Sequence, residues 1–406
     1  MSSERTSPSD PHDASSPTPE TAAETPAGEL SSALAALVEG MAQGNRSSLA
    51  RAISVVENER AGFQDLLHTL LSRGRAGGTR VGITGPPGAG KSSLVSAFAR
   101  LCRRGRQEVG IVAVDPTSPY SGGALLGDRI RMNDLATDPG IFIRSMASRG
   151  SLGGLATTTK EVMDVMDAFG FPRLLVETVG VGQTELEITG AADAIVVVLT
   201  PESGDGIQAM KAGLMEIADV FVVNKADRPG ADRLVKEIRS ALKLRSGEVP
   251  GAGSGHHGPA GHHGPSGAPS PAPERKEASG DRASEEPEVE RWVPPVLLTM
   301  GQTGEGVEEL VQTVDRHREW LEGSGELDRR RRRRTADRIR DVLDRELKRR
   351  VRRELARESV LAQALDRIAR GEGTPYSEAA AFLELMGVDP AQAPLPAGGD
   401  GAEAAR

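Results

Sequence analysis

Apolar positions recur along this chain with two different periods, and the changes of period divide it. Between residues 30 and 75 the spacing is helical. Leu34, Leu37, Val38 and Met41 fall on one face, as do Leu49, Ile53 and Val56, and then Phe63, Leu66, Leu67 and Leu70. From 78 to 320, short unbroken runs of Val, Ile and Leu alternate with helical stretches. The runs predict strands at 79–84, 109–114, 141–144, 173–178, 194–199, 220–224 and 296–299. Strands that are apolar at consecutive positions are covered on both faces, so the sheet is mostly parallel with helices on both faces. Residues 328–370 return to a helical, strongly basic pattern. There Ile339, Val342, Leu343, Leu347 and Val351 form an apolar stripe after the arginine run Arg329–Arg334. The stripe predicts packing on a partner helix or on the chain's own domain.

In an open parallel sheet a ligand lies at the carboxyl ends of the strands. At the end of the first one the chain reads Thr84-Gly-Pro-Pro-Gly-Ala-Gly-Lys-Ser-Ser-Leu94. Gly85, Gly90, Lys91 and Ser92 fill each fixed place of G-x-x-x-x-G-K-[ST], between a strand (Arg80–Thr84) and a helix (Ser93–Leu101). A loop of this kind surrounds phosphate oxygens with backbone N–H groups, and the helix N-terminus adds partial positive charge. Gly85, Pro86, Pro87, Gly88, Ala89, Gly90, Lys91, Ser92 and Ser93 are therefore expected to hold phosphates. Lys91 reaches the β- and γ-phosphates and Ser92 ligates Mg²⁺. The fold class is an α/β P-loop NTPase.

A second motif names the base. The apolar run Val220–Val223 leads into Asn224-Lys225-Ala226-Asp227, an N-K-x-D pattern. The Asp227 carboxylate can accept from guanine N1–H and the 2-amino group together. Adenine offers an acceptor at N1 and no 2-amino group. A charge-assisted bond contributes roughly 1.5–3 kcal/mol. Asn224 is expected to tie the base loop to the phosphate loop, and the Lys225 stem to cover the base.

Three acids follow strands or lie close to them in sequence. Asp115 ends Val112-Ala113-Val114-Asp115, Asp128 lies in Leu-Gly-Asp-Arg-Ile-Arg-Met, and Glu177 ends Leu174-Leu175-Val176-Glu177. Converging carboxylates suit Mg²⁺, which takes oxygen ligands and keeps several waters. How the three divide direct ligation, water-mediated ligation and water positioning is left open by the sequence. Glu177-Thr-Val-Gly180 resembles a D-x-x-G switch with Glu for Asp. The position that carries a water-orienting Gln in Ras-like enzymes is Val181, with Gln183 two residues on. Slow unaided hydrolysis, completed by a partner or a moving loop, is the expectation. Pro201–Gln208 reads either as a mobile switch or as a simple connection.

Composition adds limits. The chain has 406 residues and a net charge of −8, which gives no support for nucleic-acid binding. The arginine run, with Asp and Glu nearby, reads as a solvated helix face. Residues 1–29 form an acidic Ser/Pro/Thr leader expected to be disordered. Residues 246–289, with His256-His257 and His262-His263 among Gly and Pro, read as a disordered insertion, and 388–406 as a disordered tail. No apolar run is long enough to span a membrane, and the leader is not basic. The expectation is a cytoplasmic protein with no membrane partner. Cys102 is the only cysteine.

Taken together, Gly85–Ser92, Val-Asp-Pro-Thr-Ser-Pro (114–119), Gly-Gly-Ala-Leu-Leu-Gly-Asp-Arg-Ile-Arg-Met (122–132), Glu-Thr-Val-Gly-Val-Gly-Gln-Thr-Glu (177–185) and Asn224–Asp227 resemble the MeaB/ArgK family of GTPases. The likeness runs from about Leu37 to Met386, with the 246–289 tract outside it. It implies a G domain of the signal-recognition (SIMIBI) type over 78–320, flanked by the 30–75 helices. It also implies a helical dimerisation segment at 328–387, making a homodimer. It implies a GTP/GDP- and Mg²⁺-dependent chaperone for an adenosylcobalamin-dependent acyl-CoA mutase, usually methylmalonyl-CoA mutase, gating cofactor loading and protecting the enzyme. Under this resemblance Asp115, Asp128 and Glu177 are magnesium and catalytic residues. Residues 200–211 become a third switch loop, with Lys211 a partner-dependent catalytic contributor beside Lys91. The chain departs from the family at Leu298-Thr-Met-Gly-Gln-Thr-Gly304, where a Ser-Ala loop is usual before the last helix. The other readings are a transport-associated kinase or ATPase, disfavoured by N-K-x-D, and a nickel-insertion GTPase, suggested by the histidine tract.

Overall fold

The computed structural model of the chain describes residues 30–74, 77–115, 132–147, 157–178, 187–202, 213–246, 291–356 and 358–388. Seven strands form one sheet: β1 (Thr79–Thr84), β2 (Val109–Asp115), β3 (Ile141–Ala147), β4 (Arg173–Glu177), β5 (Ala194–Leu199), β6 (Val220–Asn224) and β7 (Val296–Thr299). Their order is β3-β2-β4-β1-β5-β6-β7, and every pairing is parallel. The sheet is therefore of the doubly covered kind that the apolar runs require.

Side chains alternate across it. Val81, Ile83, Ile111, Leu175, Val196 and Val198 meet α4 (Lys91–Arg104) and α9 (Val307–Gly323) on one face. Val112, Val114, Leu174, Val176 and Val197 meet the opposite layer. That layer holds α1 (Ser32–Ala42), α2 (Arg46–Glu57), α3 (Phe63–Ser72), α6 (Thr157–Phe169) and α8 (Ala231–Ser246). Two short helices, α5 (Asn133–Ala136) and α7 (Leu214–Ile217), complete this part.

The first three helices are separated by local chemistry. Ser31 caps α1 by accepting from Leu34 N, and Asn45 caps α2 by accepting from Ser47 N and Ser48 N. Their apolar stripes, including Leu34, Val38, Leu49, Ile53, Val56, Leu66 and Leu70, are buried as the helical period predicted.

Some strand ends differ from expectation. β3 runs past Arg144 to Ala147, pairing Ser145 with Ala113 and Ala147 with Asp115. It is an edge strand, and polar residues interrupt its run: Arg144 pairs with Glu57 of α2 and donates to Ser54 Oγ at 3.3 Å. β4 ends at Glu177, yet Thr178 N still donates to Ile83 O at 3.1 Å.

The amino end of the sheet is ionic. Arg80 is buried and donates to Asp164 and Asp167 of α6, both at 2.8 Å. Burial pulls its pKa down, and the two carboxylates more than reverse this, leaving it above the ordinary arginine value. His317 of α9 is fully buried with Nε2 3.3 Å from Asp219 Oδ1. The chain's two tryptophans, Trp292 and Trp320, flank its ring at 4.7 and 5.8 Å. Trp292 Nε1 also donates to Asp219 O at 2.8 Å. Cys102 is buried, which pushes its thiol pKa up.

The chain divides into two units, Met1–Leu327 and Asp328–Arg406. The second contains most of α10 (Glu326–Leu355), then α11 (Glu358–Ala369) and α12 (Pro375–Leu385). Within it Arg367 holds Glu378 across α11 and α12. The fold thus has the expected sheet together with the expected helical extensions on both sides. The 1–29 leader, nearly all of the 246–289 insertion and the 389–406 tail lie outside the described residues.

Candidate nucleotide site

The loop between β1 and α4 is shaped by two glycines. Gly85 has φ +138°, and a Cβ there would lie 2.1 Å from Val198 O of the neighbouring strand. Gly90 has φ +84°, and a Cβ there would lie 2.5 Å from Asn224 Nδ2. No side chain fits either place, so the motif spacing follows from the packing of β5 and β6 against the loop. Helix α4 then starts at Lys91, and its first N–H groups face the loop's concavity without intrahelical partners.

Lys91 is buried and its Nζ donates to Gly85 O at 2.8 Å and Pro86 O at 3.0 Å. The ammonium is thus carried by the loop at the place where phosphates are expected. Ser92 Oγ donates to Glu177 Oε1 at 2.6 Å, and both residues are buried. This hydroxyl–carboxylate pair joins α4 to the end of β4. Behind it, on the other face of the sheet, Thr84 Oγ1 and Thr178 Oγ1 share a hydrogen bond of 2.8 Å. The sequence reading singled out neither threonine.

The base loop is tied to the phosphate loop by Asn224. Its Nδ2 donates to Ala89 O at 2.8 Å, and its Oδ1 accepts from Gly301 N at 2.9 Å and Thr299 Oγ1 at 3.2 Å. One amide thereby fixes three loops. Lys225 adopts φ +57°, a left-handed conformation that costs about 1–3 kcal/mol for a non-glycine residue and that clusters at functional sites. Ala226 N donates to Thr299 O at 3.1 Å, which closes the turn. Asp227 follows and is exposed. Glu202, just after β5, pairs with Arg228 and lies 3.9 Å from Lys225 Nζ.

At Met300-Gly301, where the chain departs from the family it resembles, the structure gives a reason for the glycine. A Cβ at Gly301 would sit 3.0 Å from Leu94 N and 3.3 Å from Leu94 Cα. The loop lies directly on the first turn of α4. Neither this contact nor the Thr84–Thr178 pair is a motif: each joins residues far apart in sequence, and only strand register reveals it.

Of the expected magnesium residues, Ser92 and Glu177 are brought together. The backbone of Asp115 ends β2, next to β4 in the sheet. Asp128, Lys211, Val181 and Gln183, most of the 201–208 loop and the side chain of Asp115 lie outside the described residues. Among the described residues no three His, Cys, Asp or Glu side chains form a metal-binding group. Mg²⁺ in phosphate sites needs no such group: a hydroxyl, one or two carboxylates, waters and phosphate oxygens suffice, and the Ser92–Glu177 pair supplies two oxygens of that kind. Among the described residues no helix is long and apolar enough to cross a membrane.

Comparison with known proteins agrees with this geometry. A family model described as "Methylmalonyl Co-A mutase-associated GTPase MeaB" matches residues 49–356. A putative GTPase of Pyrococcus horikoshii is 40% identical over 352 residues, covering 86% of this chain and 97% of that protein. A mitochondrial methylmalonic aciduria type A homolog of Mus musculus is 32% identical over 309 residues, covering 72% of this chain and 64% of that protein. A crystal structure of a LAO/AO transport system kinase superposes with a TM-score of 0.57 at 25% identity, covering 89% of this chain and all of that one. The chain belongs to the MeaB family.

Proposed function

We propose that this protein binds GTP with Mg²⁺, hydrolyses it, and uses that cycle as a chaperone for an adenosylcobalamin-dependent acyl-CoA mutase. The observation that carries the nucleotide reading is the Asn224 amide, which clamps the N-K-x-D loop to the phosphate loop at Ala89 O. A phosphate cradle and a guanine-selective carboxylate held in one rigid frame are what a guanine nucleotide needs.

In this reading the residues divide the work as follows. Gly85, Pro86, Pro87, Gly88, Ala89, Gly90 and Ser93 present backbone around the phosphates. The Lys91 ammonium leaves the carbonyls of Gly85 and Pro86 for the β- and γ-phosphate oxygens. Ser92 and Glu177 hold Mg²⁺ directly or through its waters, with Asp115 and Asp128 as the further carboxylates. Bound there, the ion neutralises charge that develops on the phosphates. Asp227 accepts from guanine, and the Lys225 stem lies along the base. Lys211 contributes when the partner is bound. The mutase reading rests on family membership and on the names of the family and of the murine relative. The homodimer is assigned to the 328–387 helices, and the protein to the cytoplasm.

Replacing Asp227 with Asn tests the base. The carboxamide presents a donor to guanine N1–H, so GTP affinity falls by up to roughly 10⁴-fold while xanthosine triphosphate is gained. Calorimetry with both nucleotides reads this directly, and unchanged GTP affinity removes the base-reading role. The chaperone reading is tested by GTP turnover with and without purified methylmalonyl-CoA mutase. A rate that the mutase leaves unmoved counts against it.

A further inference from the structure

We propose that Thr178 is a positioning residue for the carboxylate that serves the metal side of the nucleotide site. Its hydroxyl, shared with Thr84, locks the end of β4 to the entrance of the phosphate loop and so holds Glu177 on Ser92. The proposal rests on the nucleotide-site reading above and concerns how that site keeps its geometry.

Three observations carry it. First, β1 and β4 pair in parallel with Ile83 opposite Glu177, so Thr84 and Thr178 are the next residues along the same register. Side chains alternate between faces. Glu177 therefore points to the α4 face, where Ser92 Oγ reaches it at 2.6 Å, and Thr178 points to the opposite face. Second, the two threonines are fully sealed from solvent, with relative exposures of 0% and 1%, and their oxygens lie 2.8 Å apart. Third, Thr178 N donates to Ile83 O at 3.1 Å, although the strand proper has ended. Backbone and side chain of one residue thus extend the β1–β4 ladder at the level of the site.

The physical consequence follows from placement. Thr84 is joined covalently to Gly85, the first residue of the phosphate loop, and Thr178 to Glu177. A bond between the two threonines transmits the position of one loop to the carboxylate of the other. It works on the face of the sheet that neither phosphate nor metal touches. A buried hydroxyl pair has a fixed geometry, because neither oxygen can turn to water instead. Without it, the end of β4 keeps its backbone pairings with β1 and β2 but has no side-chain tie to the entrance of the phosphate loop. The Glu177 carboxylate then loses its fixed distance to Ser92.

The test uses the full-length protein with three single variants, together with Thr84→Ser and the double valine variant. Thr178→Val keeps shape and removes the hydroxyl, Thr178→Ser restores the hydroxyl without the methyl, and Thr84→Val removes the same bond from the other side. Measured on each are Mg²⁺-free GDP affinity by calorimetry, the Mg²⁺ concentration that half-saturates the tightening of nucleotide binding, and kcat and KM for GTP. Thr178→Val is expected to raise the Mg²⁺ midpoint and lower kcat by roughly tenfold each. That loss is smaller than the roughly 10²-fold a 1 Å misplacement can produce. KM and Mg²⁺-free GDP affinity stay within about twofold. Thr178→Ser recovers most of the loss, and Thr84→Val matches Thr178→Val, with no further loss in the double variant.

An unchanged Mg²⁺ midpoint in Thr178→Val overturns the proposal. So does an equal fall in all nucleotide affinities, which would mark a general loss of structure. If Thr178→Val does not fold, Thr84→Val decides the matter by the same readouts, and failure of both valine variants to fold where serine variants fold assigns the pair to folding and overturns the proposal. A wild-type protein that binds no GTP at all sinks the nucleotide reading instead, and is recognised before any variant is made.

Discussion

Leucines in the first unit and in the second live in different surroundings. Leu49, Leu66 and Leu94 have no measurable exposure, and the charges buried with them are paired, as Arg80 is with Asp164 and Asp167. From Asp328 onward, Ile339, Leu343 and Leu347 remain 57, 55 and 53% exposed, at positions that fall on one face of α10. Charged residues in this part pair locally, as Arg340 does with Asp337 and Arg349 with Glu346. The first unit is closed by its own sheet and helices. The second presents a stripe of large apolar side chains that its own described helices do not cover. An apolar stripe along a helix is ordinarily a packing face. A second copy of the chain is what the homodimer reading supplies.

The largest effect that separates the two regions is expected at Arg80. Arg80→Ala leaves two buried carboxylates without their cation. Breaking such a pair costs roughly 3–5 kcal/mol, measurable by urea denaturation. A loss below about 1 kcal/mol would show that water reaches Asp164 and Asp167.

A matched pair of truncations comes next. Leu66→Ala is expected to cost about 2–5 kcal/mol at any protein concentration. Leu343→Ala should cost under about 0.5 kcal/mol in dilute protein. In concentrated protein its cost should grow, because loss of a self-association contact appears as concentration-dependent stability. Equal costs for the two leucines at high dilution would mean that the stripe is covered within one chain.

The smallest effect concerns pH in the second unit. The hydrogen bond from Arg367 lowers the pKa of Glu378; burial opposes this, and the charge of Arg367 adds to it. A lowered folded-state value means the tie is intact above the ordinary glutamate range and is lost as pH falls through the lowered value. Titration followed by carbon NMR of the Glu378 carboxyl should show that lowered midpoint in the wild type. The ordinary value should return in Arg367→Gln.

Much of the first unit was legible because burial on both faces writes itself as an unbroken apolar run. β1, β5 and β6 have the predicted ends for this reason, while β7, an edge strand with Leu298 exposed, was legible because its short run is unbroken all the same. β3 was read short because an edge strand is half-buried and admits Arg144, which serves Glu57 rather than the core. The tie from Asn224 to the phosphate loop was also readable, since the motif fixes the residue and the fold fixes its neighbour. The donors to its oxygen, Gly301 N and Thr299 Oγ1, were not, because they depend on where β7 lies beside β6. The Thr84–Thr178 bond was hidden for a related reason. Threonine at a strand end is ordinary, and only the pairing of β1 with β4 turns two of them into one interaction.

Because both indoles stand around His317, at the start of the strand that ends in Asn224, the tryptophan emission of this protein comes from a single corner. One of them follows directly on residues 247–290 and is hooked to Asp219. Unlabelled protein therefore carries its own optical gauge. Quenching and wavelength report how firmly Trp292 is held at the start of β6, and stopped-flow mixing with nucleotide can follow it in real time.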